Sequence, residues 1–202
     1  MKKGEKRKLE LLQIAYRMFI QRGYENTSVD EIIEEAGIAK GTYYYYFESK
    51  ENMLEEVIGM MIDKETETAV QILNSDIPVQ HKIVGIISSI RPEHSEQPIE
   101  EALIQPENAL MHIKIKRSLI EKVVPILAKA VEEGNAQGIF DCDDICERVR
   151  MLLVISNEIF DEDDYTERDI EVFIGVAEYL LGAKEGTMGF IRHLIGGGKP
   201  QM

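Results

Sequence analysis

No stretch of the 202 residues approaches the ~20 consecutive apolar residues that a membrane-crossing helix requires. The N-terminal lysines are followed by no apolar signal core, so the chain is expected to be cytoplasmic. Cysteine is scarce as well, and the two present, Cys142 and Cys146, fit a reducing compartment. Their spacing can place both on one helical face beside Asp141, Asp143 and Asp144, but no third and fourth ligand stands at a familiar distance. Neither a metal site nor a thiol sensor is therefore expected. The acidic run of residues 161–164 lacks the glycine and the glutamate that complete a calcium loop, and reads as a solvated, helix-capping linker. There is no GxSxG, no glycine-rich phosphate loop, no paired metal-ligand motif and no Cys–His nucleophile setting. Catalysis and a cofactor are not expected. No internal repeat is present.

Positive charge is short overall. The formal net charge is −14 and the isoelectric point about 4.8, which taken globally argues against nucleic acid. The imbalance is local, however: residues 1–50 carry nine Lys+Arg against eight Asp+Glu, or +1, leaving 14 against 29, or −15, for residues 51–202. Lys2, Lys3, Lys6, Arg7 and Lys8 form a basic arm ahead of the first helix that either tracks phosphate or the minor groove or is a frayed, solvated terminus.

What the chain does contain is concentrated in residues 26–50. Thr27 or Ser28 can N-cap a helix, with Asp30 or Glu31 closing a capping box, and Val29, Ile32, Ile33 and Ala36 recur at helical spacing. Gly37 enters the left-handed conformation without steric cost, so the helix should stop there, and Ile38 should plug the turn. A second helix should begin at Lys40, with Tyr43 and Phe47 as its buried stripe and Lys40, Thr42, Tyr44, Tyr45 and Tyr46 on the other faces. Four consecutive tyrosines are unusual on a solvated face; their hydroxyls can meet phosphates or base edges while the rings pack on sugars and methyls. Ser49 can cap the following helix, which sets Lys50 beside a helix N-terminus that favours phosphate.

These residues resemble a known family. The run Leu11 to Phe19, Gly23-Tyr24, Thr27, Ile32, Ala36-Gly37-Ile38, Lys40-Gly41-Thr42, Tyr44, Tyr46-Phe47 and Ser49-Lys50-Glu51 is similar to the N-terminal domain of TetR-family transcriptional regulators over about residues 5 to 60. The resemblance implies an all-α fold of about nine helices: a three-helix DNA-binding head with the helix-turn-helix over residues 1–50, and a larger all-helical effector-binding and dimerisation domain over residues 51–202. It also implies phosphate contacts at Thr27, with Ser28 beside it, and at Lys50. Lys40, Gly41, Thr42 and Tyr45 would lie near base edges, with Tyr44 and Tyr46 as phosphate clamps. Two positions depart from the family pattern. Ala39 stands where Ser or Thr is common and cannot cap the recognition helix, a loss typically of about 0.5–2 kcal/mol. Tyr43 stands where Leu or Phe is usual.

Periodicity outlines the rest. A first helix is expected over residues 6–22 with a stripe of Leu11, Ile14, Ala15, Met18 and Phe19, and a long connector helix from Ser49 to about Leu73. Asn74 to Asp76 and Pro78 break the chain; a short helix with Ile83 and Ile86 follows, then a loop over residues 91–98. Residues 99–133 read as helix, interrupted near Pro106, bent near Pro125 and ended by Gly134. Two late amphipathic helices start near Asp143 and after Thr166, a pair that in the family forms a dimer interface; residues 196–202 read as an unstructured tail.

Ligand chemistry is the least legible part. Met60, Met61, Met111 and Met151 suit either an adaptable apolar cavity or plain core. His112 is a candidate polar pocket residue or a core histidine satisfied by a neighbour. The reading is a dimeric repressor released from a palindromic operator by a small-molecule effector. The alternative is a helix-turn-helix regulator or adaptor controlled by a protein partner.

Overall fold

The computed structural model describes residues 3–91, 94–160 and 165–196. Within these the chain is all-helical, with α1 (Lys3–Arg22), α2 (Val29–Glu35), α3 (Lys40–Tyr46), α4 (Lys50–Leu73), α5 (Val79–Ser89), α6 (Gln97–Leu103), α7 (Ala109–Ala136), α8 (Ile145–Phe160), α9 (Glu167–Leu181) and α10 (Ile191–Gly196). Single 3₁₀ turns cover His94–Glu96 and Pro106–Asn108. No helix among the described residues is long and apolar enough to cross a membrane.

Two compact units form. The first holds α1 to α3, α4 up to Lys64, and residues 94–118; the second holds residues 65–91 and the remainder from Leu119. In the first, α1 packs on α2 and on α6, and α2 on α3, around fully buried Leu11, Ala15, Phe19, Ile32, Tyr43 and Phe47. The expected stripe of α1 is thus the core of the head except at Ile14, which is only partly buried, while Leu12 joins the core beside it. Tyr16 of α1 donates to buried Glu96 at 2.9 Å, which ties the α6 segment to α1. In the second, α8 packs on α9 and α10 on both α5 and α9, around Val123, Ala130, Ala177 and Leu181. Lys82 is buried there and its ammonium meets Glu133 at 2.7 Å, the pairing a buried cation needs.

Most boundaries follow from caps. Gly23 (φ 83) ends α1, Gly37 (φ 59) ends α2, and Thr166 with Asp169 forms a reciprocal capping box for α9. Three expectations are corrected. The basic segment is not a separate arm: residues 3–8 are the opening turns of α1, where Arg7 pairs with Glu10 at 2.9 Å and Lys8 with Glu56 at 2.7 Å. Lys2 lies outside the described residues, as do the acidic run 161–164 and residues 197–202 of the tail. The supposed loop over 91–98 contains a 3₁₀ turn and the start of α6, because Pro98 falls in the first helical turn, where its missing N–H costs nothing. Pro92 and Glu93 are outside the described residues. Finally, Gly134 does not end α7, which runs on to Ala136; a β-carbon at Gly134 would stand 2.3 Å from the Phe140 ring, so this glycine serves packing, and Gly138 (φ 70) makes the turn.

Candidate nucleic-acid interface

Ser28 rather than Thr27 caps α2. Its hydroxyl accepts from the Glu31 N–H at 3.2 Å and donates to the Glu31 carboxylate, which also accepts the Ser28 N–H at 2.8 Å. The Ser28 N–H and hydroxyl hold the Glu31 carboxyl below its usual range. Thr27 is fully buried, its hydroxyl donating to the Gly23 carbonyl oxygen at 2.9 Å and its N–H to that of Tyr24. It braces the turn between α1 and α2 and presents no side-chain group on the surface, unlike the phosphate contact the resemblance implies.

α3 is held by one face and offers the other. Tyr43 is fully buried, its ring 5.5 Å from that of Phe47 and its hydroxyl donating to the Ser49 carbonyl oxygen at 3.3 Å. Burial pushes its hydroxyl up to about 12. The tyrosine in place of the family's Leu or Phe therefore fills the core and anchors the segment that enters α4. On the other side Tyr44 is 50% and Tyr45 80% exposed, while Tyr46 is half-buried with its ring edge-on to Tyr45 at 4.9 Å. Gly41 is exposed, and a β-carbon built on it meets no atom within 4 Å. Ala39 gives α3 no side-chain cap, as its methyl group requires.

Both cations of the site have partners that the sequence reading did not single out. Lys40 reaches back to Asp30 of α2 at 2.9 Å, with both side chains exposed, and the hydrogen bond and charge of Asp30 raise the ammonium above its usual range. Lys50 donates to the Tyr24 carbonyl oxygen at the start of α4. Ser49 caps that helix by accepting from the Asn52 N–H at 3.1 Å. The site thus gathers Lys40, Gly41, Thr42, Tyr44, Tyr45 and Tyr46 on one short helix, with Ser28 and Lys50 at the starts of the helices on either side of it.

A second surface lies on α8 and α9, the pair that the resemblance marks as a dimer interface. α9 buries the expected stripe in its own unit, while of the α8 stripe Val149 is buried and Ile145, Leu152, Leu153 and Phe160 are partly buried; both helices also expose apolar side chains: Met151, Val154, Val172 and Tyr179 are 54%, 51%, 50% and 84% exposed. They line an open groove of about 700 Å³. Val172, Val176 and Tyr179 recur at i, i+4 and i+7, so the signal was there: a helix apolar on two faces has a second surface to cover. Met151, considered for an internal cavity, belongs to this outer groove.

The remaining candidates do not converge. His112 is half-buried near the start of α7, has partners of its own, and falls in the unit that contains the helix-turn-helix. Cys142 is buried, its thiol donating to the carbonyl oxygens of Asp143 and Leu180 and pushed up by burial, whereas Cys146 is exposed. Among the described residues no three His, Cys, Asp or Glu side chains are grouped to hold a metal.

Known proteins match over the same segments. A model described as bacterial regulatory proteins, tetR family, matches residues 11–57, and one described as a tetracyclin repressor-like C-terminal domain matches residues 90–177. The transcriptional repressor KstR2 of Mycolicibacterium smegmatis is 30% identical over 141 residues, 68% of this chain and 69% of that protein. The regulator YhgD of Bacillus subtilis is 25% identical over 181 residues, 87% of this chain and 94% of that protein. Two solved structures share the fold. A transcriptional regulator from Cytophaga hutchinsonii gives a TM-score of 0.59 at 20% identity, covering 93% of this chain and 98% of that one. Reduced NemR of E. coli gives 0.53 at 16%, covering 94% and 97%.

Proposed function

Because the chain belongs to the TetR family of bacterial transcriptional regulators, we propose that it is a repressor that binds a palindromic operator as a homodimer and is released by a small-molecule effector. The DNA function is assigned to residues 1–50, the effector and dimer functions to residues 51–202. The observation that carries the reading is the outer face of α3. Tyr45 is 80% exposed, and Gly41, one residue after Lys40 and one turn before Tyr45, is open above its α-carbon; the fold itself calls for neither the exposed ring nor the missing side chain. A major groove supplies both reasons, a base edge for the hydroxyl and close backbone approach at the glycine. Lys40, Gly41, Thr42 and Tyr45 meet base edges in this reading; Ser28, Tyr44, Tyr46 and Lys50 meet the DNA backbone.

Dimerisation is supported by the exposed apolar groove of α8 and α9, and the two-fold operator follows from it, since a symmetric dimer presents two recognition helices to two half-sites. Repression is supported by the likeness to KstR2. Release needs only a modest coupling: about 1–3 kcal/mol between effector and DNA changes affinity about 5- to 150-fold. The strongly acidic second half favours cationic or neutral effectors over anions.

Footprinting of the purified protein on its own upstream intergenic DNA across a salt series tests the proposal. A protected palindrome whose affinity falls steeply with salt is expected. Absence of protection at low salt overturns operator binding at that locus and moves the reading toward control through a protein partner.

A further inference from the structure

We propose that Gly175 is the point of closest approach in the self-association face, where α9 of a second copy crosses α9 of the first. This rests on the homodimer reading above and adds the geometry of its contact.

The argument begins with a residue that its own chain does not explain. Gly175 lies in the middle of α9, where glycine is less favourable than alanine. Its φ is not positive, so no turn requires it; a β-carbon built on it meets nothing within 4 Å, so no neighbour requires it either. Gly134 marks the contrast, because there Phe140 fills the space a side chain would take. At Gly175 the space is open, and it lies within the groove lined by Val172, Val176 and Tyr179 of α9 and Met151 and Val154 of α8. An open glycine among exposed apolar side chains suits a second helix lying across it at short distance, with the flanking valines and Tyr179 as ridges on either side.

Charge identifies the occupant as a second copy. Residues 51–202 carry a net −15, so two copies repel unless they meet through a neutral patch. On the groove's α8 side Glu147, Arg150, Met151, Val154 and Glu158 share a face by helical spacing; on α9 Arg168, Val172, Gly175 and Tyr179 do the same. The four charged residues are exposed and sum to zero; Glu171, one turn before Gly175, is exposed as well, and its charge is met by Arg192. None of the four forms an ion pair among the described residues. An apolar centre rimmed by equal numbers of both signs is self-complementary, which a two-fold contact requires.

Sedimentation equilibrium over a concentration series tests this with the full chain, its Gly175→Ala and Gly175→Leu variants, and Gly59→Ala as a control. Gly59 is also mid-helix, in α4, with an equally open β-carbon position. The wild type is expected to be a dimer. Gly175→Ala should raise the dimer dissociation constant about tenfold or more, because the added methyl overpacks a close contact, and Gly175→Leu should abolish dimers at micromolar protein. Helicity of the alanine variant should be equal or higher, since alanine is the better helix former. Gly59→Ala should dissociate as the wild type does. Dimers of Gly175→Ala and Gly175→Leu as tight as the wild type, or equal weakening by Gly59→Ala, overturn the assignment of Gly175 and leave the dimer standing. A wild type that stays monomeric throughout overturns the homodimer reading itself, and with it this inference.

Discussion

Lys50 donates to the Tyr24 carbonyl oxygen at 2.9 Å and holds its ammonium 4.0 Å from the centroid of the Tyr24 ring. The contact fixes a positive charge beside the first turn of α4, where the helix dipole already favours an anion. An ammonium has three donors, so a phosphate oxygen can be added without breaking the bond to Tyr24. Lys50→Ala is therefore expected to weaken binding to all DNA sequences alike and to reduce the salt slope by about one. Tyr45→Ala, on the open face of α3, should instead lose about 1–3 kcal/mol of discrimination between operator and random DNA. Fluorescence anisotropy with both DNAs at several salt concentrations separates the two effects; two variants that bind like the wild type would sink the interface.

Asp30 places a carboxylate on the recognition surface and occupies Lys40, the only lysine of α3. Both side chains are exposed, so the pair is screened and adds little to folding. Its effect on DNA should be larger, because the acid repels phosphate and competes with it for the ammonium. Asp30→Asn is expected to leave the melting temperature nearly unchanged, to raise affinity for random DNA, and to steepen the salt dependence. Weaker binding to random DNA would mean instead that Asp30 positions Lys40 for a phosphate.

The head was legible because its signals are local. Capping residues, the turn at Gly37 and the Tyr43–Phe47 stripe all act within a few residues, and the cap could be assigned to Ser28 only once Thr27 was seen turned inward. What sequence could not supply was contact between distant residues. Asp30 meets Lys40 ten positions on, and Tyr24 meets Lys50 twenty-six on. Phe140 fills the space above Gly134, which periodicity alone marks as a helix end. The short α10 went unforeseen because six residues carry too little periodicity to stand out.

Two capping boxes make part of the stability pH-dependent. Asp169 is held below its usual range by the Thr166 hydroxyl and then its N–H, and Glu31 by the Ser28 N–H and then its hydroxyl. A folded pKa below the unfolded one means the stabilisation is complete above the ordinary carboxylate range, near pH 4, and is lost as pH falls through the depressed folded value. Asp169→Ala should therefore melt below the wild type at neutral pH, with the gap closing on acidification through and below the ordinary carboxylate range. A gap that stays constant would show that the carboxylate's charge has no part in the cap.

Gly134 and Gly41 are both helical glycines, and their alanine variants should move in opposite directions. At Gly134 the added methyl would enter the Phe140 ring, with 2.3 Å to its nearest carbon, and overpacking of this kind typically costs about 1–3 kcal/mol. Phe140 is itself buried in the core of its unit, so it has little room to withdraw. At Gly41 the methyl meets nothing, and replacing this glycine in the first turn of α3 by alanine should stabilise, by less than the roughly 1 kcal/mol of a helix interior. If the open space above Gly41 is reserved for DNA, the same substitution should weaken operator binding despite the firmer fold. Urea unfolding of both variants with operator titration of Gly41→Ala provides the check. A Gly41→Ala protein that is both more stable and equally tight on DNA would remove Gly41 from the interface and leave Lys40, Thr42 and Tyr45 to read the bases.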